Sequence, residues 1–141
     1  AITYVWGNAA FTGDTLFAGG CGRIFEGSPQ DMYFSLHQKI GLLPPETRLY
    51  FGHEYTENNL QFSLDVEPTN HKARVLLKEV SKLRSEGKFT TPSTISQEFA
   101  TNPFMRTTEL EIQKKVRELE PDADLSPVSV FRVLREYKNH F

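Results

Sequence analysis

The chain has 141 residues, of which 38% are hydrophobic and 24% are charged. This composition is typical of a globular protein with a packed core. A net charge of −2 excludes the broad positive field that non-specific nucleic-acid binding needs. No apolar run reaches the ~20 residues that span a bilayer, and the first residues lack a secretory signal pattern. We therefore expect no nucleic-acid or membrane partner and a cytoplasmic location, with mitochondria as the alternative.

The first 55 residues carry a strand, loop, helix, strand pattern. Apolar runs rich in β-branched and aromatic residues predict strands at 2–11 and 48–51. Between them, Ser28 and Pro29 predict the start of a helix and Gly41 predicts its end.

From Thr56 onward the pattern becomes helical. Thr56 is a candidate cap for a short helix, and Asn70 for a longer one that carries one apolar stripe and ends at Gly87. Further helix starts are predicted at Thr94 with Gln97, Thr108 with Glu111, and Ser126 with Pro127. We expect a small helical bundle in which residues 87–93 and 102–103 are internal connections.

A carboxylate follows the first strand. In the segment 11–17 an apolar strand ends on Gly13 and then the acidic Asp14. A carboxylate at a strand end can bind a metal or act as a base, and a glycine lets the backbone approach a bound group. The alternative is a turn aspartate that caps its own loop.

A histidine follows the second strand in the same way. The segment 49–56 is apolar up to Gly52, and His53 comes next. Ends of neighbouring strands can converge, and Asp14 with His53 would suit a first-row metal with oxygen and nitrogen ligands. The alternative is a structural histidine. A single cysteine, Cys21, excludes a Cys-rich zinc site, so any metal would be held by histidine and carboxylate groups.

Basic residues occur in two further places. The glycine-rich loop 19–27 could present backbone N–H groups to an anionic ligand, with Arg23 adding charge. Arg132, Arg135 and Lys138 share one face of the last helix and could bind carboxylates; the alternative is a solvated basic face. Cys21, within the loop, has no paired base nearby, which favours a packing role over a nucleophilic one.

The motifs taken together resemble the glyoxalase II family, the hydroxyacylglutathione hydrolases. They are Thr-Gly-Asp-Thr-Leu-Phe at 12–17, Gly-Cys-Gly-Arg at 20–23, Phe-Glu-Gly at 25–27, Gly-His-Glu-Tyr-Thr at 52–56, Asn-Asn-Leu at 58–60 and Asn-Pro-Phe-Met-Arg at 102–106. The resemblance covers nearly the whole chain and depends on the order and spacing of the motifs.

The resemblance implies an α/β fold. Residues 1–55 would be the C-terminal portion of a metallo-β-lactamase αββα sandwich, and residues 56–141 a small all-α helical domain that binds the glutathione substrate. The family's site holds two divalent metals, zinc with iron or manganese as alternatives, and a metal-activated hydroxide hydrolyses the thioester of S-(2-hydroxyacyl)glutathione. Asp14 would bridge the metals and His53 would bind one of them.

The family's glutathione contacts match five positions in this chain. They are Arg23, Phe25, Tyr55, Arg135 and Lys138. Phe25 stands where many members have a tyrosine, and Arg23 where lysine is common, so one hydroxyl contact is lost and one charge is kept. The two basic residues of the last helix favour glutathione, with its free carboxylates, over polyamine-conjugated thiols.

The family's His-x-His-x-Asp-His motif does not occur in this chain. Most of the family's metal ligands are therefore missing, and we expect the chain to begin within a domain, to need the N-terminal half of that domain, and to be inactive alone. One alternative is a non-catalytic ligand- or partner-binding protein that keeps the helical domain. Another is a hydrolase of a different acyl or lactone substrate on the same fold.

Overall fold

The computed structural model describes residues 2–24 and 27–141. Within them the chain has a mixed α/β structure with six α-helices and two small sheets. The strands are β1 Tyr4–Trp6, β2 Ala9–Gly13, β3 Leu16–Phe17, β4 Gly20–Cys21, β5 Arg48–Phe51 and β6 Ser93–Thr94. The helices are α1 Pro29–Phe34, α2 Thr56–Val66, α3 His71–Ser85, α4 Ile95–Thr101, α5 Leu110–Leu119 and α6 Pro127–Asn139. No helix of this described part combines the length and apolar character needed to cross a bilayer.

The larger sheet has the strand order β1-β2-β5-β6. Strand β2 pairs with β5 in parallel, while β1 and β6 are antiparallel to their neighbours. The prediction of one strand over residues 2–11 is wrong, because Gly7 and Asn8 form a two-residue turn that folds this segment into a hairpin. Gly7 has φ +58°, as the first turn position of a II′ hairpin requires, so the Gly-Asn pair was the signal for this turn.

Helix α1 begins where the sequence predicts. The Ser28 hydroxyl accepts from the Asp31 N–H and the Asp31 carboxylate accepts from the Ser28 N–H, which completes a capping box. The helical path then continues through a π-helical stretch, Ser35–Lys39, and a 3₁₀ turn, Ile40–Leu42. Gly41 lies inside that last turn, so the prediction that it ends the helix was wrong by one residue.

Local capping signals explain most helix starts in the second half. The predicted caps Asn70, Thr94 and Ser126 each accept a backbone N–H three residues later. Gly87, at φ +72°, ends α3, and the Lys88 N–H donates to the Leu83 carbonyl as in a Schellman motif.

Two predicted caps are wrong. Thr56 is the first residue of α2 rather than its cap, and its hydroxyl contacts that of Thr90. At α5 the Thr108–Glu111 box does not form because the Glu111 carboxylate accepts from the N–H and hydroxyl of Thr69 instead. In both cases a contact distant in sequence displaced the local one.

The main core lies between the sheet and the helices. Its largest fully buried side chains include Phe62, Phe104 and Phe131 from the helical part, packed with Leu36 and Leu49 from the first part. A smaller cluster between α2 and α3 contains Leu60, Ala73 and Val80. The prediction of residues 87–93 as a connection is wrong only at Ser93, which enters β6 and pairs with β5. The helical part thus contributes a strand to the sheet.

Candidate metal and substrate site

Asp14 and His53 lie side by side at one edge of the larger sheet. Because β2 and β5 are parallel, with Gly13 paired to Phe51, their carboxyl ends meet at this edge. The Nδ1 atom of His53 lies 2.8 Å from Oδ1 of Asp14, and the two side chains are 50% and 68% exposed. The predicted convergence of the two strand ends is confirmed.

Glycines let the backbone close around this pair. Gly13 adopts φ +53°, a conformation that L side chains rarely adopt, and its carbonyl accepts from the Gly52 N–H at 2.9 Å. A Cβ atom on Gly22 would overlap the carbonyl oxygen of Asp14. The glycine-rich loop therefore returns directly to Asp14, a contact that its composition alone did not show.

Two aromatic rings stand beside the pair and form what we call the aromatic wall, those of Phe17 and Tyr55. The His53 and Tyr55 rings are stacked, with centroids 5.0 Å apart and planes 3° apart. The Phe17 ring meets both edge-on, at 6.1 Å from His53 and 5.2 Å from Tyr55. His53 is thus held on one side by Asp14 and on the other by the wall.

The two basic residues of α6 have different surroundings. Arg135 is only 5% exposed, and its Nη1 donates to the carbonyls of Cys21 at 2.7 Å and Gly22 at 3.4 Å. Lys138 is half-buried and donates to Oδ1 of Asn58 at 2.7 Å. Burial, and then the nearby Arg135 charge, lowers the pKa of Lys138 to about 8.

Cys21 is buried between these elements. Burial raises the pKa of its thiol to about 11, although the Arg135 guanidinium opposes that shift. A thiol with this pKa carries little thiolate at neutral pH, so the structure gives it the character of a packing residue.

The described site residues line one cavity. Its volume is about 1100 Å³, and its walls include Asp14, Arg23, His53, Tyr55, Arg135 and Lys138. The seventh predicted residue, Phe25, lies outside the described residues. Arg132 does not line this cavity and pairs with Glu120 and Glu136. The cavity brings the strand-end pair, the loop and the last helix to a single place.

The prediction of site residues omitted Asn58 and Asn59, which also line the cavity. Asn58 accepts from Lys138, and Nδ2 of Asn59 donates to the Ala18 carbonyl at 3.2 Å. Their signal was the Asn-Asn pair in the first turn of α2, which belongs to the motifs of the family resemblance but had no role assigned to it.

The donor set fits part of a metal site. One carboxylate oxygen and one imidazole nitrogen are donor types that first-row divalent metals accept. Their 2.8 Å separation is near the roughly 3.3 Å between two ligand atoms in a tetrahedral zinc site. Over residues 2–24 and 27–141, no cluster of three or more His, Cys, Asp or Glu side chains could hold a metal. Further ligands would have to come from elsewhere, since a catalytic zinc commonly has three protein ligands.

Comparison with known proteins gives one family. Residues 54–141 match the family described as hydroxyacylglutathione hydrolase C-terminus. The chain is 47% identical over 131 residues to a hydroxyacylglutathione hydrolase of Pseudomonas aeruginosa (strain LESB58), covering 93% of this chain and 50% of that protein. It is 46% identical over 140 residues to the enzyme so named from Vibrio parahaemolyticus, covering 99% of this chain and 54% of that protein.

The chain thus spans about half the length of the curated relatives that it matches. The family match contains Tyr55, Arg135 and Lys138, and the longer alignments extend over most of the sheet region as well. These matches agree with the resemblance drawn from the motifs. The chain belongs to the hydroxyacylglutathione hydrolase C-terminus family.

Proposed function

We propose that this chain is the C-terminal half of an enzyme that hydrolyses S-(2-hydroxyacyl)glutathione, such as S-D-lactoylglutathione, to glutathione and a 2-hydroxy acid. The observation that carries the proposal is the cavity of about 1100 Å³, which collects a candidate ligand pair and the basic side chains of Arg23, Lys39, Arg135 and Lys138. The cavity lining offers both metal ligands and cations for carboxylates. A glutathione thioester needs both.

The proposal includes the fold. Residues 1–55 would complete a metallo-β-lactamase sandwich and residues 56–141 would form the substrate-binding domain. Strand β1 supports this, because its large side chains Tyr4, Val5 and Trp6 are exposed, as is Ile2 before it. An apolar strand at a sheet edge needs a cover, and the N-terminal half of the same domain would supply one.

Asp14 and His53 would hold divalent metal, with zinc our first choice. When bound, the metal pair would lower the pKa of a bound water and polarise the thioester carbonyl. The residues of this chain have the task of orienting that site. The 2.8 Å separation keeps the two donor atoms together, and the stacked ring of Tyr55 restricts rotation of the His53 imidazole.

The basic residues would bind the peptide part of the substrate. Lys138 and Arg23 both line the cavity, and Lys138 needs only to exchange Asn58 for a substrate carboxylate. Arg135 would add its charge while keeping the Cys21 carbonyl as partner. Glutathione fits these cations better than a polyamine-conjugated thiol does, because its carboxylates remain free.

The full-length protein that carries this chain provides the test. Asp14→Ala and His53→Ala should each lower metal content and thioester hydrolysis together, by more than about 100-fold in activity. Hydrolysis is followed by the loss of thioester absorbance, and metal by elemental analysis. Cys21→Ala is the matched control and should retain both.

Three results would contradict the proposal. One is loss of activity in Cys21→Ala with metal content unchanged, which would indicate a thiol mechanism. Another is chelator-sensitive hydrolysis by the 141-residue chain alone, since we propose that the chain by itself lacks ligands. The third is full activity in Asp14→Ala.

A further inference from the structure

We infer that Glu98 is a positioning residue for the aromatic wall: it holds the turn between β3 and β4, and that turn places Phe17 against His53 and Tyr55. Its importance for catalysis rests on the proposed function, whereas its effect on the wall does not. Glu98 lies on α4 and is not among the residues that line the cavity containing Asp14 and His53.

The turn between β3 and β4 is buried, although turns normally lie at the surface. Its backbone groups therefore need partners from within the protein. Side chains of the helical part supply them. The Gly19 N–H donates to Oε1 of Glu98 at 2.9 Å, and Nδ2 of Asn102 donates to the Gly20 carbonyl at 3.0 Å. Each partner is distant in sequence from the turn that it holds.

A buried glutamate carries a desolvation cost at this place. Glu98 is 0% exposed, and its carboxylate accepts from Gly19, from Asn102 at 3.0 Å and from the Ser93 hydroxyl. Within the described part of the chain it makes no salt bridge, and burial raises its pKa. A leucine would pack there without that cost. Only an acceptor, however, can pair with the N–H of Gly19 and the amide of Asn102.

The turn connects this network to the site. Phe17 is two residues before Gly19 and is 5% exposed, with its ring against His53 and Tyr55. If the turn moves, the Phe17 ring moves with it, and His53 loses its edge-on neighbour. Small displacements of a group that orients a reacting centre can lower activity by about 100-fold.

The test uses nuclear magnetic resonance on the 141-residue chain, which has four histidines. Glu98→Leu should shift the ring resonances of His53 and speed hydrogen exchange of the Gly19 amide by at least about tenfold. Glu98→Gln, which keeps an acceptor, should restore both to near wild-type values. His71 and His140 are exposed and distant in sequence from the turn, and serve as internal references.

Thr101→Val is the matched control. Thr101 is buried one turn further along α4, and its hydroxyl donates to the Gln97 carbonyl of its own helix at 2.8 Å. This variant weakens the helix without touching the turn, so His53 and Gly19 should not change. Equal shifts in Thr101→Val and Glu98→Leu would overturn the inference, because the effect would then be general destabilisation.

Two more results would overturn it. One is an unchanged His53 spectrum and Gly19 exchange rate in a folded Glu98→Leu protein. If that variant does not fold, hydrogen exchange in the wild-type protein is the test. The inference expects the Gly19 amide to exchange as slowly as the amides of the buried helices. Exchange at the rate of an exposed turn would refute the inference. These measurements need neither metal nor thioester. They would therefore remain valid even if the protein were shown not to be a thioester hydrolase.

Discussion

The core of the helical region and the outer strand of the sheet region differ in the exposure of their large aromatic side chains. In the helical region Phe62, Phe104 and Phe131 are all fully buried, and Phe104 contacts both of the others. In β1, Trp6 is 84% exposed and Tyr4 is 68% exposed. The aromatic side chains of the helical region are therefore part of the packed core, whereas the outer strand of the sheet presents an apolar surface that is suited to a cover.

The candidate site depends on both regions. Asp14 and His53 come from the ends of β2 and β5, while Arg135 and Lys138 come from α6. Strand β6 and the contacts of Glu98 join the two regions. The division at residue 55 stays a prediction about domains, but the chemistry on its two sides meets in one cavity. Three predictions test the contrast between the two regions and the site that they share.

The largest expected effect is on stability. Phe104→Ala should lower the free energy of unfolding by about 3–5 kcal/mol, because Phe104 is fully buried and packs against Phe62 and Phe131. Trp6→Ala, which removes a larger side chain from an exposed position, should change it by less than about 0.5 kcal/mol. Urea unfolding of the chain measures both.

The contrast between the regions would be wrong if the two variants lost similar stability. A large loss in Trp6→Ala would mean that β1 is covered in solution, for instance by a second copy of the chain. The dependence of that loss on protein concentration would identify such an association.

The second prediction rests on the proposed function and concerns the basic residues of α6 in the full-length protein. Lys138→Ala should raise KM by roughly ten- to a hundredfold and leave kcat nearly unchanged, since a charge-assisted hydrogen bond is worth about 1.5–3 kcal/mol. Arg135→Ala should raise KM by a similar factor and should also destabilise the chain, because Arg135 holds the Cys21 carbonyl. Steady-state kinetics over a range of salt concentrations measures both, and rising salt should weaken the contacts.

Arg132→Ala is the control for this pair. Arg132 lies on the same helix but pairs with Glu120 and Glu136, so its loss should change KM less than either other substitution. If all three variants kept the wild-type KM, the basic face would be solvated surface and specificity for glutathione would come from elsewhere.

Much of the local structure could be predicted because its causes are local. The caps Asn70 and Ser126 bond to N–H groups three residues away, and Gly87 ends a helix through its own backbone conformation. The convergence of Asp14 and His53 was also predictable, since each stands directly after a glycine at a strand end and parallel neighbouring strands end at the same edge of a sheet.

The features that could not be predicted depend on contacts distant in sequence. Glu98 resembles an ordinary helical glutamate, and only the fold shows that it meets Gly19, 79 positions away. Arg135 is one of three basic residues on a helix face, yet it is buried against Cys21 while Arg132 pairs at the surface. Residue type and period cannot separate these cases, because the partners come from other elements.

The smallest expected effect is the pH dependence of ligand binding. The pKa of Lys138 is lowered from 10.5 to about 8, first by burial and then by the charge of Arg135, with Arg23 adding to the repulsion. The fold therefore disfavours the ammonium form of Lys138. Its contribution to the free energy of unfolding is present above pH 10.5, where the amine is neutral, and is lost as pH falls through about 8. A bound carboxylate favours the ammonium form and opposes this shift.

Affinity for a glutathione ligand should thus be constant below pH 8 and should fall above it, by up to about tenfold per pH unit, as Lys138 loses its proton. S-methylglutathione is the probe because it has no thiol that titrates, and calorimetry on the chain measures the dissociation constant at each pH. Lys138→Gln is the matched control, since any pH dependence that it retains belongs to the ligand's own amine. Identical pH profiles for the two proteins would show that Lys138 does not meet the ligand, and Arg23 and Arg135 would then carry the charge recognition in the cavity.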